Sequence, residues 1–429
     1  MQPIYYDLSE LYFRSGTKIK YYGIARVVAE IAYEVSLQAP SVQFVVFDMG
    51  RRQFFLVKPL FGISSANGLV DLGLPPRGIP IKPVDLRHHE LPLRRFIQNS
   101  VQMLANTANA ARFPDIANYL EKVDLIDGVL FSAARPKYIS EMVRFLEERG
   151  SRVRLSAMLY DIFPLHEELS TPERFRKAFV FDNTVIMNSA DQVLSISHFT
   201  DADIREAVRA GLLPAPKSRS VVQLCHECRA DGGCADIQLP ERPYFMGVGI
   251  TMGRKNLDIV LEAIVHMLDA GKTPPLFVVA GIARARSRKA LGNGAYVRAE
   301  PYVRFVTSPS QANLIKLYEN ALGTVMASRV EGWGLPLGES LWLGTPAISA
   351  PNSSLREVGG DLAIYFDPDS AAELAAIFDR MMTDTTWNEA LRSRVRAAKP
   401  FLRRWKDVAR EVLDVVCRHD MALAQPTAA

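Results

Sequence analysis

The sequence predicts an α/β protein of two domains, each a parallel β-sheet covered by helices. Short apolar runs rich in β-branched residues alternate with helical stretches along the chain, which is the pattern of parallel sheets. A length of 429 residues exceeds the usual size of a single hydrophobic core, so two domains are expected. Residues 225–243 contain Cys, Asp, Gly and Pro without a clear period and therefore indicate the connection between the domains.

The first half of the chain predicts one well-defined helix and four strands. The amphipathic stretch Ile24–Leu37 follows a turn at Gly23 and is typical of a helix. The segment Arg94–Lys122 is also predicted to be helical; an ordinary surface helix is the commoner explanation, and contact with a membrane or lipid-bearing acceptor is the alternative. The predicted strands are Val42–Phe47, Leu125–Ser132, Val153–Leu159 and Gln192–Ser197.

The second half predicts a second sheet with helices between its strands. Its first helix, Asn256–Ala270, has an apolar face suited to packing on a sheet. That face comprises Leu257, Val260, Leu261, Ile264 and Leu268. The other predicted helices are Ser310–Asn320, Leu335–Leu343, Ala371–Met382 and Arg403–His419. The predicted strands are Tyr244–Gly249, Leu276–Gly281, Val303–Thr307, Leu322–Ser328, Pro346–Ala350 and Ile364–Phe366.

Residues 331–339, Glu-Gly-Trp-Gly-Leu-Pro-Leu-Gly-Glu, are the most informative run. They join a predicted buried strand to a helix whose start suits Pro336, because proline lacks only an N–H that would go unbonded there. Gly332 and Gly334 carry no Cβ, so backbone N–H groups can approach a diphosphate, and the helix dipole adds partial positive charge. Glu339 is then placed to bind ribose hydroxyls, and Glu331 a sugar beyond the phosphates. Either glutamate alone is more often only a favourable dipole partner.

A second run, Gly247–Asn256, ends a strand in glycines and begins a helix with Arg254 and Lys255. Such a pair is usually a solvated helix end, but beside residues 331–339 it favours neutralisation of a diphosphate. The same run approaches the fingerprint of NAD-dependent oxidoreductases, which is the alternative from another class. The third glycine, Gly253, comes one residue late, and no suitable acidic residue follows about twenty residues on.

Composition and the remaining polar residues exclude several classes. A hydrophobic content of 48% and a charged content of 23% exclude overall disorder, and a net charge of +4 is too small to indicate nucleic acid. The close spacing of Cys225, Cys228 and Cys234 suggests a zinc site as one possibility. Since His226 would be a poor fourth ligand, free thiols are expected instead. No metal is therefore expected. Without a long apolar run or secretory leader, the chain is expected in the cytoplasm.

These motifs together resemble the retaining glycosyltransferases of family 4, whose signature is two glutamates separated by seven residues, as in Glu331 and Glu339. The resemblance implies a GT-B fold, with two Rossmann-like domains facing a central cleft. It implies an acceptor-side domain at residues 1–235, a nucleotide-sugar domain at 240–400, and a final helix in 401–429 that crosses back. The matching segments are Val248–Ala263, Val278–Gly281 and Ala327–Pro368, and the last includes Gly344–Pro346, Ser353–Glu357 and Phe366–Pro368.

In the second domain, the resemblance implies that Lys255 and Arg254 bind the donor diphosphate and that Glu339 binds the ribose. Glu331 would act on the transferred sugar together with the backbone of Gly332, Trp333, Gly334 and Leu335, all of which count as donor-binding residues. An arginine that is common after the family's Val-Gly segment is replaced here by Ile250 or Thr251, so diphosphate binding would depend more on Arg254 and Lys255.

In the first domain the likeness is less specific. Gly23, in Tyr-Gly-Ile-Ala-Arg, resembles the glycine turn that faces the donor phosphates, and Asp161 would contact the acceptor or the reacting sugar. The family's histidine before that aspartate is Tyr160 here, so no role of an imidazole carries over.

The resemblance favours transfer of a hexose. Mannose from the donor GDP-mannose is the favoured sugar, and UDP- and dTDP-sugars are close alternative donors. The acceptor would be a glycan, lipid-linked, in the assembly of a surface polysaccharide such as lipopolysaccharide. Peripheral association with the inner face of the plasma membrane is part of that expectation. A nucleotide-sugar-binding protein without catalysis is the remaining alternative, which the presence of both glutamates and both cations disfavours.

Overall fold

The computed structural model describes residues 2–12, 23–49, 51–62, 69–73, 100, 103–104, 107–108, 120–169, 171–230, 232–281, 285–292, 294 and 296–422. The chain forms two compact units. Unit 1 comprises Met1–Gln223 with Trp405–Ala429, and unit 2 comprises Leu224–Arg404. The chain thus leaves unit 1 once and re-enters it before its last helix.

Unit 1 contains an eight-stranded sheet of order β10-β9-β8-β7-β1-β2-β3-β6. Most neighbours are parallel, as predicted, but β3 is antiparallel to both β2 and β6. Only four residues separate β2 from β3, which is too short for the crossover that a parallel pair requires. The strands are β1 Ile4–Asp7, β2 Gln43–Asp48, β3 Gln53–Val57, β4 Leu60–Phe61, β5 Val70–Asp71, β6 Glu121–Val123, β7 Val129–Ser132, β8 Arg154–Leu159, β9 Gln192–Ser195 and β10 Arg219–Val221; β4 and β5 pair separately.

Helices cover the sheet of unit 1, and the last of them comes from the end of the chain. It packs on α2, and its buried residues Trp405, Val408, Ala409, Val412 and Val416 recur at helical spacing. The predicted helix Arg94–Lys122 lies almost wholly outside the described residues, and its last two residues belong to β6. The helices of unit 1 are α1 Ser9–Tyr12, α2 Ile24–Gln38, α3 Pro136–Glu148, α4 Glu173–Ser189, α5 His198–Arg209 and, at the chain end, α13 Trp405–Ala422.

Unit 2 contains a six-stranded, wholly parallel sheet of order β13-β12-β11-β14-β15-β16. Counted from the first strand of the unit, this order is 3-2-1-4-5-6, the Rossmann order. The order reverses between β11 and β14, which is where ligands bind in sheets of this kind. The strands are β11 Tyr244–Val248, β12 Leu276–Gly281, β13 Val303–Thr307, β14 Gly323–Met326, β15 Ala347–Ser349 and β16 Ile364–Tyr365.

Both faces of the second sheet are covered by helices. On one face α6 buries Leu257, Val260, Leu261 and Ile264 as predicted, and Leu268 is partly buried beside them. On the other face α8 packs Leu314, Leu317 and Tyr318 against the strands. Of the described residues, none lies in a helix long and apolar enough to cross a membrane. The helices of unit 2 are α6 Leu257–Asp269, α7 Ala285–Gly292, α8 Gln311–Asn320, α9 Leu335–Trp342, α10 Leu355–Gly359, α11 Ala371–Thr383 and α12 Thr385–Ala398.

Candidate active site

The loops after β11 and β14 bring three of the predicted site residues together. Because β11 and β14 are parallel neighbours, their carboxyl ends meet at one edge of the sheet. The first loop carries Arg254 and Lys255, and the second carries Glu331. Lys255 Nζ donates a hydrogen bond to Glu331 Oε1 at 2.5 Å, and Arg254 NH1 lies 3.4 Å from Glu331 Oε2. The predicted cations and one predicted carboxylate thus form a charged cluster where the strand order reverses.

The carboxylate of Glu331 is buried but remains ionised. Burial by itself raises the pKa of Glu331, because it removes the charged form from water. The charges of Lys255 and Arg254, with hydrogen bonds from Lys255 and Ser328, outweigh burial and hold the pKa of Glu331 below its usual value. The side chain of Glu331 therefore carries a full negative charge inside the protein near neutral pH, and the two cations beside it compensate that charge.

Residues outside the loop fix the backbone around Glu331. The Glu331 N–H donates to Ser353 Oγ at 2.9 Å. The hydroxyl of Ser354 donates to the carbonyl oxygens of Glu331 and Trp333, both at 2.8 Å. The indole of Trp333 is buried and donates to the carbonyl oxygen of Cys225 at 3.1 Å. The backbone hydrogen bonds consequently hold Glu331 in position, and they do not depend on what its side chain binds.

Gly334 sets the entry of the chain into α9. Its φ of 103° lies in the left-handed region, which side chains with a Cβ rarely adopt. A Cβ added to Gly334 would also lie 2.6 Å from Cδ2 of Leu355, a fully buried residue of α10. Glycine is therefore required here by backbone conformation and by the approach of α10.

Replacing Gly334 with Ala is expected to lower the free energy of unfolding by about 1–2 kcal/mol, the cost of forcing a Cβ into left-handed backbone. Urea unfolding followed by circular dichroism measures this loss. Gly292→Ala is the matched control, because Gly292 has open space around it and no left-handed φ. Equal stability of the two variants would mean that Gly334 is not constrained in this way.

Glu339, the second predicted carboxylate, lies one turn into α9 and is almost fully buried, with 3% of its surface exposed. The hydroxyl of Tyr318 in α8 donates to Glu339 Oε2 at 3.0 Å. This contact ties α9 to α8. Binding of a ribose by Glu339 stays a prediction.

Gly23 and Asp161 lie in unit 1. Gly23 is the exposed residue before α2, and its φ of 59° again favours glycine. Asp161 follows β8 and is partly exposed. Beside it, the Tyr160 hydroxyl donates to the carbonyl oxygen of Ala133 at 2.6 Å, and burial raises the pKa of Tyr160 well above its usual value. Tyr160 thus uses its polar atom within the fold, as a neutral hydrogen-bond donor.

A buried polar cluster at the reversal point of the first sheet was not predicted. At the ends of β1 and β7, Ser132 Oγ donates to Asp7 Oδ2 at 2.6 Å, and Arg135 NH2 donates to Glu10 Oε1 at 2.6 Å. Burial raises the pKa of Asp7 to about 6, although hydrogen bonds from Ser132 and Ser9 lower it in part. The signal in the sequence is one acid at the end of a short strand, Asp7, and a second acid three residues later, Glu10, and it is lost if the strand is missed.

The clustered cysteines Cys225, Cys228 and Cys234 form no disulfide bond with one another. Cys225 and Cys228 are buried and Cys234 is exposed. The side-chain amide of Gln311 lies 3.3 Å from the sulfur of Cys228. Within the described part of the chain, no group of three or more His, Cys, Asp or Glu is placed to hold a metal ion.

The chain forms two Rossmann-like units, and charged residues lie at the strand reversal of unit 2. The class of fold is therefore GT-B, as predicted, and the solved structures described below confirm it. Residues 237–399, which lie within unit 2, match the family described as Glycosyl transferases group 1. Over 224 residues the chain is 25% identical to O-antigen chain mannosyltransferase B of Escherichia coli. That alignment covers 50% of this chain and 58% of its relative, so the chain spans little more than half of that relative's length.

Two solved structures establish the fold over nearly the whole chain. Sucrose-phosphate synthase from Thermosynechococcus elongatus superposes with a TM-score of 0.61 at 15% identity, covering 98% of this chain and 100% of its own. HepE from Anabaena, solved in complex with UDP and glucose, gives a TM-score of 0.57 at 13% identity, covering 97% and 100%. At these identities the likeness concerns architecture.

Proposed function

We propose that this protein is a retaining glycosyltransferase that moves a hexose from a nucleotide diphosphate sugar to a glycan acceptor. The observation that carries the proposal is the cluster of Arg254, Lys255 and Glu331 at the strand reversal of unit 2, which contains the match to Glycosyl transferases group 1. Two cations beside a glycine turn and a helix start are suited to a diphosphate, and a buried carboxylate is suited to sugar hydroxyls.

The cations and the loop amides would stabilise the leaving group. When the bond between the sugar and the phosphate oxygen breaks, negative charge develops on the diphosphate. Preorganised donors aimed at developing charge are usually the largest contribution to catalysis of this kind. Lys255 and Arg254 supply the positive charge that stabilises the diphosphate, and the Gly332–Leu335 backbone supplies N–H donors beside them. Glu339 would bind the ribose, and Gly23 would face the phosphates.

The substitution would occur on one face of the sugar. The bond from the anomeric carbon to the leaving phosphate breaks, and a bond to the acceptor oxygen forms on the same side. The acceptor proton passes to an oxygen of the departing phosphate. Glu331 orients the sugar and stabilises its partial positive charge, while Asp161 contacts the acceptor or the reacting sugar. No bound metal enters these steps.

For the donor we propose GDP-mannose, and for the acceptor a lipid-linked surface polysaccharide. Support comes from the relative named O-antigen chain mannosyltransferase B, which aligns with half of this chain. The neighbour solved with UDP and glucose supports UDP-sugars as the alternative donors, with dTDP-sugars beside them. The shared chemistry is a diphosphate-linked hexose.

A panel of nucleotide sugars tests the proposal directly. We expect the purified protein to release GDP from GDP-mannose faster than UDP from UDP-glucose or dTDP from dTDP-glucose, in the presence of a lipid-linked glycan acceptor. Proton NMR of the product should show the anomeric configuration of the donor. An NAD titration should give no response. Absence of release and transfer with every donor would contradict the proposal.

Peripheral membrane association is supported by the first half of α4. Phe175 is 57% exposed and Phe181 is 40% exposed, and the neighbouring Arg174 and Lys177 are also exposed. Aromatic and basic residues on one exposed helix suit the boundary of an anionic membrane, where rings enter the headgroup layer and cations meet lipid phosphates. We propose that α4 contacts the inner face of the plasma membrane.

Changing Phe175 and Phe181 together to Ser is expected to weaken binding to phosphatidylglycerol vesicles about tenfold. The reason is that the two rings, which are exposed in the free protein, would no longer enter the headgroup layer of the membrane. Co-sedimentation with vesicles measures the effect. The matched control changes Leu37 and Leu212 to Ser, since both are exposed apolar residues of unit 1 outside α4. Equal weakening in both variants would show that α4 is not the membrane surface.

A further inference from the structure

Both cations of the candidate site are paired with the same carboxylate. Lys255 Nζ lies 2.5 Å from Glu331 Oε1, and Arg254 NH1 lies 3.4 Å from Oε2. The side chain of Glu331 is only 9% exposed, whereas those of Arg254 and Lys255 are 33% and 24% exposed. The cations can therefore be reached from solvent, but the anion that already binds them hardly can.

A diphosphate arriving at these cations would compete with Glu331. If it shares Lys255 with the carboxylate, two anions lie close together, and like charges repel. If it draws Lys255 away, the buried carboxylate loses its shortest ion pair, and an uncompensated buried charge is costly. In either case Glu331 opposes the binding of a bare diphosphate.

A nucleotide sugar brings its own compensation. The hexose on its second phosphate carries hydroxyl groups, which can donate hydrogen bonds to the carboxylate that Lys255 leaves. The nucleoside diphosphate that remains after transfer has lost that sugar, so it meets the unrelieved competition. The penalty therefore depends on whether the hexose is present.

Building on the proposed transfer reaction, we propose that Glu331 discriminates between the nucleotide sugar and the nucleoside diphosphate product. Its carboxylate re-forms the ion pair with Lys255 when the sugar has gone, and so weakens the hold of the site on the product. Glu331 thereby favours product release in addition to acting on the sugar.

Calorimetric titration of the full chain with inorganic pyrophosphate, GDP and GDP-mannose tests this inference at one salt concentration. For Glu331→Gln we expect pyrophosphate and GDP to bind about fivefold tighter or more, which is the lower range of couplings between sites. GDP-mannose should gain nothing, because the neutral amide oxygen of Gln accepts hydrogen bonds from the sugar hydroxyls more weakly than the carboxylate does. The ratio of the Kd for GDP to the Kd for GDP-mannose should therefore fall.

The control is Asp369→Asn, which also removes one negative charge. Asp369 is 67% exposed and pairs at 2.6 Å with Arg329, a different cation. Its replacement should leave the pyrophosphate Kd unchanged. Equal tightening in both variants would overturn the inference, because net charge alone would then explain it. Glu331→Ala provides the same comparison if the Gln variant does not fold.

The outcomes separate this inference from the proposed function. Unchanged binding of pyrophosphate and GDP in both Glu331 variants would overturn discrimination, while the transferase proposal would stand. Failure of the unaltered protein to bind any nucleoside diphosphate or nucleotide sugar, UDP and UDP-glucose included, would remove both.

Discussion

Replacing Glu331 with Gln is expected to lower kcat for glycosyl transfer about a hundredfold or more, which is the scale measured when one preorganised electrostatic group is removed. The carboxylate is buried and ionised, since Lys255 and Arg254 hold its pKa below the usual value. A neutral amide of the same size loses the charge that would stabilise the sugar as its bond to phosphate breaks. The loss should appear in kcat, because the charge matters most in the transition state.

The fold should survive this substitution. The backbone of residue 331 is held by Ser353 and Ser354, whose hydrogen bonds do not involve the carboxylate. Single-turnover and steady-state assays with the preferred donor measure kcat, and thermal unfolding checks the fold. Asp369→Asn serves as the charge-matched control with normal turnover. Near-normal turnover of Glu331→Gln would refute the role given to the carboxylate.

Lys255→Ala is expected to weaken donor binding by about 1.5–3 kcal/mol, the usual worth of a hydrogen bond to a charged group. Two effects act in the same direction. The diphosphate loses a cation, and the buried carboxylate of Glu331 keeps Arg254, at 3.4 Å, and the hydrogen bond from Ser328, but not its shortest ion pair, to offset its repulsion of the phosphates. Calorimetric titration with the nucleotide sugar gives the change in Kd directly.

Arg329→Ala is the comparison for Lys255→Ala. Arg329 lies on the loop after β14, which also carries Glu331, but it pairs with Asp369, and both side chains are exposed. Surface pairs of this kind contribute little, so donor affinity should stay within about twofold of the original. Donor affinity that is the same in both variants would remove Lys255 from the site.

In the second half of the chain every predicted strand lies within two residues of the strand found, and the reason is physical. The helices Ala285–Gly292, Leu355–Gly359 and Thr385–Ala398 were not predicted. Strands Leu276–Gly281 and Val303–Thr307 are apolar runs ended by turns, so local preference and tertiary role agree. In the first half, Ile4–Asp7 is a four-residue strand that few local signals mark, yet it lies at the reversal point of its sheet. Missing that strand hid the polar cluster of Asp7 and Glu10.

The candidate site was predicted in its chemistry but only partly in its geometry. Glycine turns and cations at strand ends are local features, so Arg254, Lys255 and Glu331 could be selected from the sequence. Their ion pair joins residues 76 positions apart, and it depends on which strands become neighbours. The same holds for Ser354, whose hydroxyl supports the carbonyl groups of the glutamate loop only because α10 packs there.

The return of the chain to unit 1 has a consequence for synthesis on the ribosome. Unit 2 is one uninterrupted stretch of the chain, so it is fully synthesised once residue 404 has been added. Unit 1 begins first but waits for α13, which packs on α2 and brings the buried Trp405. The amino-terminal unit is therefore the last to be completed, and translation stopped after residue 404 would yield a finished unit 2 beside a unit 1 with an uncovered apolar helix.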